Sequence, residues 1–213
     1  MTTTQFKKSY WDYFLELEEQ FASTQKYVAF DETNLKTFSI EYLKLIQAVC
    51  SEIDVVAKEI ATFFNPDFEK EPRPNIQKWG YIIQNNLASL VSAQVTFNEE
   101  LIVTPWKQFG YEQYRNKRGN LCYKLKKDCK TPSWWNDYNE IKHHRTSKDN
   151  NGNENYMRAN LNNMILCYSA LFSLEIYFMY YLMANGGLNY AISHSQLFSF
   201  DQPYIDHDVI AAR

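Results

Sequence analysis

The sequence predicts an all-α fold, an up-and-down bundle of about five long helices, on three observations. Glycine and proline number only six each in 213 residues, and so few breaks favour long regular elements. Hydrophobic residues recur at three- and four-residue spacing over long stretches, which is typical of helices that bury one face. With 45% hydrophobic and 22% charged residues, residues 1–213 are predicted to form a single globular domain.

The first two helices are predicted at residues 5–22 and from Ser39 to the stop at Asn65 and Pro66. In both, the apolar side chains follow the helical spacing. Serine commonly caps helix N-termini, and a residue that precedes proline disfavours helical geometry. Residues 23–37, between the two helices, are predicted to be a connection.

Three further helices follow in the prediction. The third covers residues 75–101, between the proline-containing segments 71–74 and 104–105. The fourth runs from Ser133, the expected N-cap, to about Ser147. The fifth covers residues 154–184 and is the most apolar of the chain.

Two segments lack a helical pattern. Residues 105–131 are predicted to be an irregular insertion on the helical scaffold. Within it, residues 121–126 alternate apolar and polar side chains, which predicts a short strand. The tail, residues 186–213, is predicted to be extended chain.

The net charge of −3 excludes a general electrostatic attraction to nucleic acid, so any such contact needs a local basic patch. One patch is present over residues 115–130, with Tyr114 and Tyr123 beside it for base stacking. The other interpretation of the same residues is a solvated loop and strand edge.

Residues 166–184 are apolar and about long enough to cross a bilayer. Glu175 lies at their centre, where an ionised carboxylate would be costly in lipid, so a buried core helix without membrane contact is predicted, and a membrane span is the alternative. The four cysteines show no paired spacing and the N-terminus is polar. A cytoplasmic protein without a metal or cofactor site is therefore expected.

The fourth predicted helix contains the strongest candidate for a functional site, the segment from Trp134 to Arg145. At about 100° per residue, one stripe of this helix holds Trp134, Tyr138, Lys142 and Arg145, and the neighbouring stripe holds Trp135, Asn139 and His143. His144 lies on the side opposite Asn139, so the two adjacent histidines are not equivalent.

One interpretation of this segment is a catalytic site. His143 would be the acid or base, Asn139 would orient the substrate, and Lys142 or Arg145 would stabilise charge that develops on a phosphate. In this interpretation the substrate is also contacted by the aromatic residues Trp134, Trp135 and Tyr138.

The other interpretation is structural. Lysine and arginine are rarely buried without partners, so Lys142 and Arg145 would pair with carboxylates such as Glu52 or Asp54 of the second helix. Alternatively the aromatic and cationic side chains form an interface with a partner, where tryptophan, tyrosine and arginine are enriched.

The order Tyr138-Asn139-x-x-x-His143, on a helix that precedes a long apolar helix, resembles the motif of the HEPN superfamily. That motif is an arginine, usually followed by asparagine, with a histidine a few residues later. Asn139 and His143 match it, whereas Tyr138 replaces the arginine. The longer string Trp-Trp-x-x-Tyr-Asn-x-x-Lys-His-x-Arg is similar to uncharacterised bacterial HEPN-like proteins, and the resemblance covers residues 38–185.

The resemblance implies a metal-independent ribonuclease or nucleotide-binding domain that forms homodimers through its motif helices. It also implies a role in bacterial antiphage defence or toxin–antitoxin systems, with a cognate regulatory protein as a partner. Because Tyr138 occupies the arginine position, Arg145 or Lys142 would have to supply the missing charge. The alternative is a HEPN-like module that has lost catalysis and serves for dimerisation or partner binding.

Overall fold

The computed structural model describes residues 1–186 and 193–200. Its helices are α1 (Thr3–Phe6), a π-helical turn (Lys7–Trp11), α2 (Asp12–Ser23), α3 (Ile40–Phe64), α4 (Ile76–Asn86), α5 (Ser133–His144) and α6 (Leu161–Ala184). Its strands are β1 (Val95–Phe97), β2 (Leu101–Val103), β3 (Tyr111–Arg115), β4 (Leu121–Leu125) and β5 (Phe198–Ser199).

The fold mixes helices and strands, so the prediction of an all-α bundle is wrong. Helices predominate, but β2, β1 and β5 form a three-stranded antiparallel sheet, and β3 and β4 form a separate two-stranded one. The first sheet pairs Phe97 with Phe198. Pairing between segments so far apart leaves no local pattern in the sequence, so β5 could not be predicted from spacing. The β1–β2 hairpin is local, but its residues were predicted to belong to the third helix.

The third predicted helix is correct only in its first half. α4 ends at Asn86, a 3₁₀ turn follows at Ala88–Ser92, and the β1–β2 hairpin replaces the rest of the expected helix. Asn98 and Glu99 between the strands have φ values of 50° and 63°, in the left-handed region that tight turns require. The β-branched and aromatic residues of β1 also favour a strand.

The first predicted helix is confirmed, with a π-helical turn inside it. Thr2 caps α1 by accepting a hydrogen bond from the backbone N–H of Gln5. The π-helical turn buries Tyr10 and Trp11 together, and the Trp11 ring stacks on Phe14 with 4.7 Å between centroids. An inserted residue in a helix changes which side chains share a face, and here it widens the buried face.

The centre of the fold is the pair formed by α3 and α6. α3 begins after Ser39, whose hydroxyl accepts a hydrogen bond from the Tyr42 N–H at 3.0 Å, so the predicted cap is confirmed. α6 has the length and hydropathy of a membrane span, but 83% of its most apolar stretch is buried inside the fold. α6 is therefore a mostly buried helix of the core, as predicted.

The boundaries of the last two helices differ from the prediction. Pro132 occupies the cap position of α5 and no side chain caps it, so the expected capping by Ser133 is wrong. The fifth helix starts later than residue 154, because Asn155–Arg158 forms a separate 3₁₀ turn. Asn160 then caps α6 by accepting a hydrogen bond from the Asn163 N–H at 3.0 Å.

The insertion contains the predicted strand, which is confirmed as β4, together with its partner β3. This hairpin packs on α4. Gly80 permits the close approach, because a Cβ there would lie 2.5 Å from the Phe109 ring. Of the tail that was predicted to be extended, β5 is a strand, and residues 187–192 and 201–213 lie outside the described part.

Candidate functional site

The predicted segment of α5 divides into a buried half and an exposed half. Trp134, Trp135 and Tyr138 are only 1%, 8% and 6% exposed. The Trp134 indole N–H donates to the carbonyl of Pro105 at 2.9 Å, and Trp135 packs edge-on against Trp79. These rings fill the core of the chain itself, so we do not retain them as substrate contacts or as a surface for a partner.

The exposed half is the last turn of α5 and its C-cap. All side chains from Lys142 to Arg145 are exposed, and Arg145 occupies the C-cap position. Cations at a helix C-terminus interact favourably with its partial negative charge. The His143 and His144 rings lie 6.3 Å apart, which leaves each imidazole accessible separately.

Lys142 and Asn139 are held against the buried half. The Lys142 ammonium lies 5.3 Å from the centroid of the Tyr138 ring, a cation–π contact. A positive charge therefore lies beside the Tyr138 ring. Asn139 is half-buried, its amide donates to the Trp135 carbonyl at 3.0 Å, and it lies one helical turn before His143.

A polar network that sequence reasoning missed fixes α5 to the start of α6. Asp137 forms an ion pair with Arg158 and accepts a hydrogen bond from the Asn163 amide at 2.9 Å. The Arg158 Nε donates to Asn155 at 2.9 Å, and the Asn155 amide donates to the His144 carbonyl at 3.0 Å. The exposed turn is thus anchored through its own backbone, and the asparagine-rich stretch 155–163 was the available signal.

The structural interpretation of the segment also named Glu52 and Asp54 as partners of Lys142 and Arg145, and these pairs are not found. Asp54 pairs with Lys58 and accepts a hydrogen bond from the Trp79 indole at 3.1 Å. The network that does form on α5 involves neither Lys142 nor Arg145, and its carboxylates are Asp137 and Glu140.

We expect Asp137→Ala to lower the free energy of unfolding by about 1–2 kcal/mol. The substitution removes the partner of Arg158 and of the Asn163 amide, and the effect is limited because the Asp137 and Arg158 side chains are 20% and 33% exposed. Urea unfolding measures it. Asp67→Ala, which removes the surface pair with Lys70 at 3.8 Å, is the control, and an equal loss in both variants would contradict the proposed anchoring role.

A second buried polar cluster joins the π-helical turn, α3 and α6. Glu175 is fully buried, and neither of its carboxyl oxygens has a hydrogen-bond partner among the described residues. Burial raises the pKa of Glu175 well above its usual value, and the charge of Glu52 adds to the shift. Burial, with Glu59, Glu52 and Glu175 nearby, raises the pKa of Tyr10 to about 12. Within residues 1–186 and 193–200, no group of three His, Cys, Asp or Glu side chains is arranged to hold a metal.

A cavity of about 360 Å³ opens beside Phe30, and its lining includes the carboxylates of Asp31, Glu32 and Glu100. None of its described lining residues is basic. Negative potential in a cleft repels phosphate, so this cavity does not fit a nucleic-acid backbone.

The basic residues of the insertion lie on the β3–β4 hairpin and its flanks. The patch over residues 115–130 is almost entirely exposed, and Lys124 is paired with Glu112 at 2.9 Å. The hairpin and the last turn of α5 are therefore two cationic surfaces that the chain offers to an anionic ligand.

Comparison with protein-family models, with curated proteins and with solved structures finds no match for this chain. Its function is therefore inferred from its own residues. Of the predicted site residues, Lys142, His143 and Arg145 are accessible at one helix end, Asn139 is half-buried beside them, and the three aromatic residues belong to the core.

Proposed function

We propose that this protein is a metal-independent endoribonuclease whose acid–base group is His143. The observation that supports the proposal is the exposure of His143 between two cations, Lys142 and Arg145, at a helix end. The hydrogen bond from Asn155 to the His144 carbonyl restrains this turn, and catalytic groups gain most when they are held in place before the substrate binds.

The chemistry that fits these groups is internal transesterification of RNA. His143 removes the proton of a ribose 2′-hydroxyl, whose oxygen forms a bond to the adjacent phosphorus while the bond to the 5′-oxygen breaks. The leaving 5′-oxygen takes a proton from water, and the hydroxide that remains takes the proton back from His143, which gives a 2′,3′-cyclic phosphate and a 5′-hydroxyl. Lys142 and Arg145 stabilise the extra negative charge on the phosphorane.

The Lys142 ammonium beside Tyr138 supports His143 as the acid–base group, although Tyr138 replaces the arginine of the HEPN motif. Lys142 brings a positive charge to within 5.3 Å of that ring. Lysine binds phosphate as a point charge, whereas arginine does so through a planar fork, so weaker positioning of the phosphate is expected than with the motif arginine.

The biological setting is part of the same proposal. The match of Asn139 and His143 to the HEPN motif supports a homodimeric enzyme of bacterial antiphage defence or of a toxin–antitoxin pair, controlled by a cognate protein. The four cysteines are free thiols, which suits the reducing cytoplasm.

The two adjacent histidines provide the test. RNA is incubated in EDTA with wild type, with His143→Ala and with His144→Ala. We expect wild type and His144→Ala to cleave to 2′,3′-cyclic phosphate ends, and His143→Ala to be about 100-fold slower, because positioned acid–base groups contribute at least that factor. Both histidines are exposed, so both variants should keep the melting temperature of wild type.

Equal rates in His143→Ala and wild type would refute the assignment, as would equal losses in the two histidine variants. Absence of cleavage by wild type would refute the enzyme itself.

A non-catalytic module is the second candidate, and the observation that favours it is Tyr138. This residue is 6% exposed and uncharged at the motif position where catalysis needs a guanidinium. Light scattering at micromolar concentration tests the candidate: a dimer that does not cleave RNA supports it, and a monomer counts against it.

A further inference from the structure

The β3–β4 hairpin and its flanks hold a positive charge that the rest of the chain does not share. Residues 107–130 contain eight lysine and arginine residues and two acidic ones, a net charge of +6, whereas the whole chain carries −3. Lys124 is the one cation of this segment with an ion pair among the described residues. Unpaired cations gathered on a projecting element favour a polyanionic ligand.

The tip of the hairpin is a fixed turn. The Asn116 side chain accepts hydrogen bonds from the backbone N–H groups of Arg118 at 2.9 Å and Asn120 at 3.0 Å. The Arg115 guanidinium donates to the Gly119 carbonyl at 2.8 Å, and Gly119 has a φ of 78°. These contacts use backbone groups and leave the Lys117 and Arg118 side chains exposed.

The two faces of the hairpin have different surroundings. On one face Tyr111 is fully buried, and Tyr123 packs against Tyr81 of α4 with 5.6 Å between ring centroids. On the other face Tyr114 is 42% exposed, and the Lys124 ammonium lies 5.5 Å from the centroid of its ring. The second face therefore presents an accessible aromatic ring beside cations.

Single-stranded nucleic acid has the matching chemistry. Cations follow its phosphates, and exposed aromatic rings stack on its bases, which are unavailable within a duplex. A bilayer with anionic headgroups would satisfy the charge but would give the Tyr114 ring no base to stack on.

We infer that the outer face of the β3–β4 hairpin binds single-stranded RNA, with Tyr114 stacking on a base and Lys117 and Arg118 contacting phosphates. The choice of RNA rests on the proposed ribonuclease function. The hairpin would hold the strand that His143 cleaves. Binding and cleavage of the strand would therefore depend on different residues.

Fluorescence anisotropy of a labelled oligouridylate tests the stacking contact. The full chain carries His143→Ala in every sample so that cleavage does not consume the probe. We expect Tyr114→Ala to weaken binding roughly 5- to 150-fold, the range for loss of one stacked base, and Tyr114→Phe to restore it. Tyr27→Ala, which removes a tyrosine that is 88% exposed elsewhere, should bind as the parent does.

Salt dependence tests the binding of phosphates. For single strands the slope of log affinity against log salt falls by about 0.7 for each phosphate that the protein no longer neutralises. Lys117→Ala combined with Arg118→Ala should therefore reduce the slope by roughly 1.4. Lys26→Ala combined with Lys36→Ala removes two lysines outside the hairpin and should leave the slope unchanged.

Three results would overturn the inference: equal losses in Tyr114→Ala and Tyr27→Ala, equal affinity for a duplex of the same sequence, or preference for phosphatidylserine vesicles over RNA. The ribonuclease proposal and the proposal that the hairpin binds RNA can each be refuted without the other. Binding that depends on Tyr114 without any cleavage by wild type would refute the ribonuclease and keep the hairpin. Cleavage that depends on His143, with unaltered binding in all hairpin variants, would refute RNA binding by the hairpin and keep the ribonuclease.

Discussion

Glu175→Leu is expected to raise the free energy of unfolding by about 2–4 kcal/mol at pH 7. Glu175 is fully buried in α6, and its two carboxyl oxygens lack hydrogen-bond partners in the part of the chain that the structure describes. Burial of an unsatisfied polar group costs free energy whether it stays neutral or ionises. Leucine fills a similar volume and has no polar group to desolvate.

The same residue gives the stability of the protein a pH dependence. Burial raises the pKa of Glu175 well above its usual value of 4.5 in the folded state. Between these two pKa values the unfolded chain has released the proton and the folded chain retains it. Stability therefore falls as pH rises from about 4.5, by about 1.4 kcal/mol per pH unit, until the folded pKa is reached.

Urea unfolding at several pH values from 4 to 8 measures both effects. Wild type should lose stability over this range, and Glu175→Leu should show a flatter profile that remains higher at pH 7. A variant less stable than wild type at pH 7, or one with the same pH profile, would contradict this account of Glu175.

Glu18→Leu is expected to have the opposite effect and to lower the free energy of unfolding by about 3–5 kcal/mol. Glu18 is 2% exposed, but its carboxylate accepts hydrogen bonds from the Ser195 hydroxyl and from the backbone N–H groups of Gln196 at 3.1 Å and Leu197 at 3.0 Å. Leucine would leave these donors unsatisfied and release the segment that leads into β5.

The comparison with Glu19→Leu isolates the contribution of these contacts. Glu19 is the next residue of α2 and is exposed, so its replacement should change stability by less than about 0.5 kcal/mol. The two variants are compared by urea unfolding, and protease cleavage near Ser195 should increase only in Glu18→Leu. Equal stability of the two variants would show that the Glu18 contacts contribute nothing.

These two glutamates show what the sequence could and could not predict. Glu175 stands inside an apolar run, so its burial could be predicted from neighbouring residues alone. Glu18 stands in an amphipathic helix whose next residue, Glu19, is exposed, and its partners lie 177 to 179 residues away. Spacing and composition report local preferences, and such a distant contact is not among them.

The same limit applies to the sheets. The strand at residues 121–126 was predictable from its alternation, since its partner β3 lies close by. β1 was predicted to be helical although its partner β2 also lies close by, and its second partner, β5, pairs with it from the tail. Residues 75–101 carry an apolar pattern that serves a helix in the first half and a hairpin in the second.

For the candidate site, the helical wheel placed Lys142 on the same stripe as Tyr138, and the contact between the Lys142 ammonium and the Tyr138 ring agrees with this. The wheel could not show that α5 runs from the core to the surface. Because it does, the same stripe is buried at Trp134 and exposed at Lys142. The wheel also could not predict the Asp137–Arg158 pair, because Arg158 lies in a turn that was predicted to belong to the next helix.

The hydrogen bonds that join Glu18 to residues 195–197 have a consequence for synthesis on the ribosome. Translation proceeds from the N-terminus, so α2 emerges long before the residues that satisfy its buried carboxylate. The three-stranded sheet also stays incomplete until β5 is made. Phe14 and Phe97 both pack against Phe198. Until Phe198 has been synthesised, these two rings lack that contact. The nascent chain therefore completes its native core only after Phe198 has left the ribosome, and until then it exposes aromatic surface of the kind that chaperones protect.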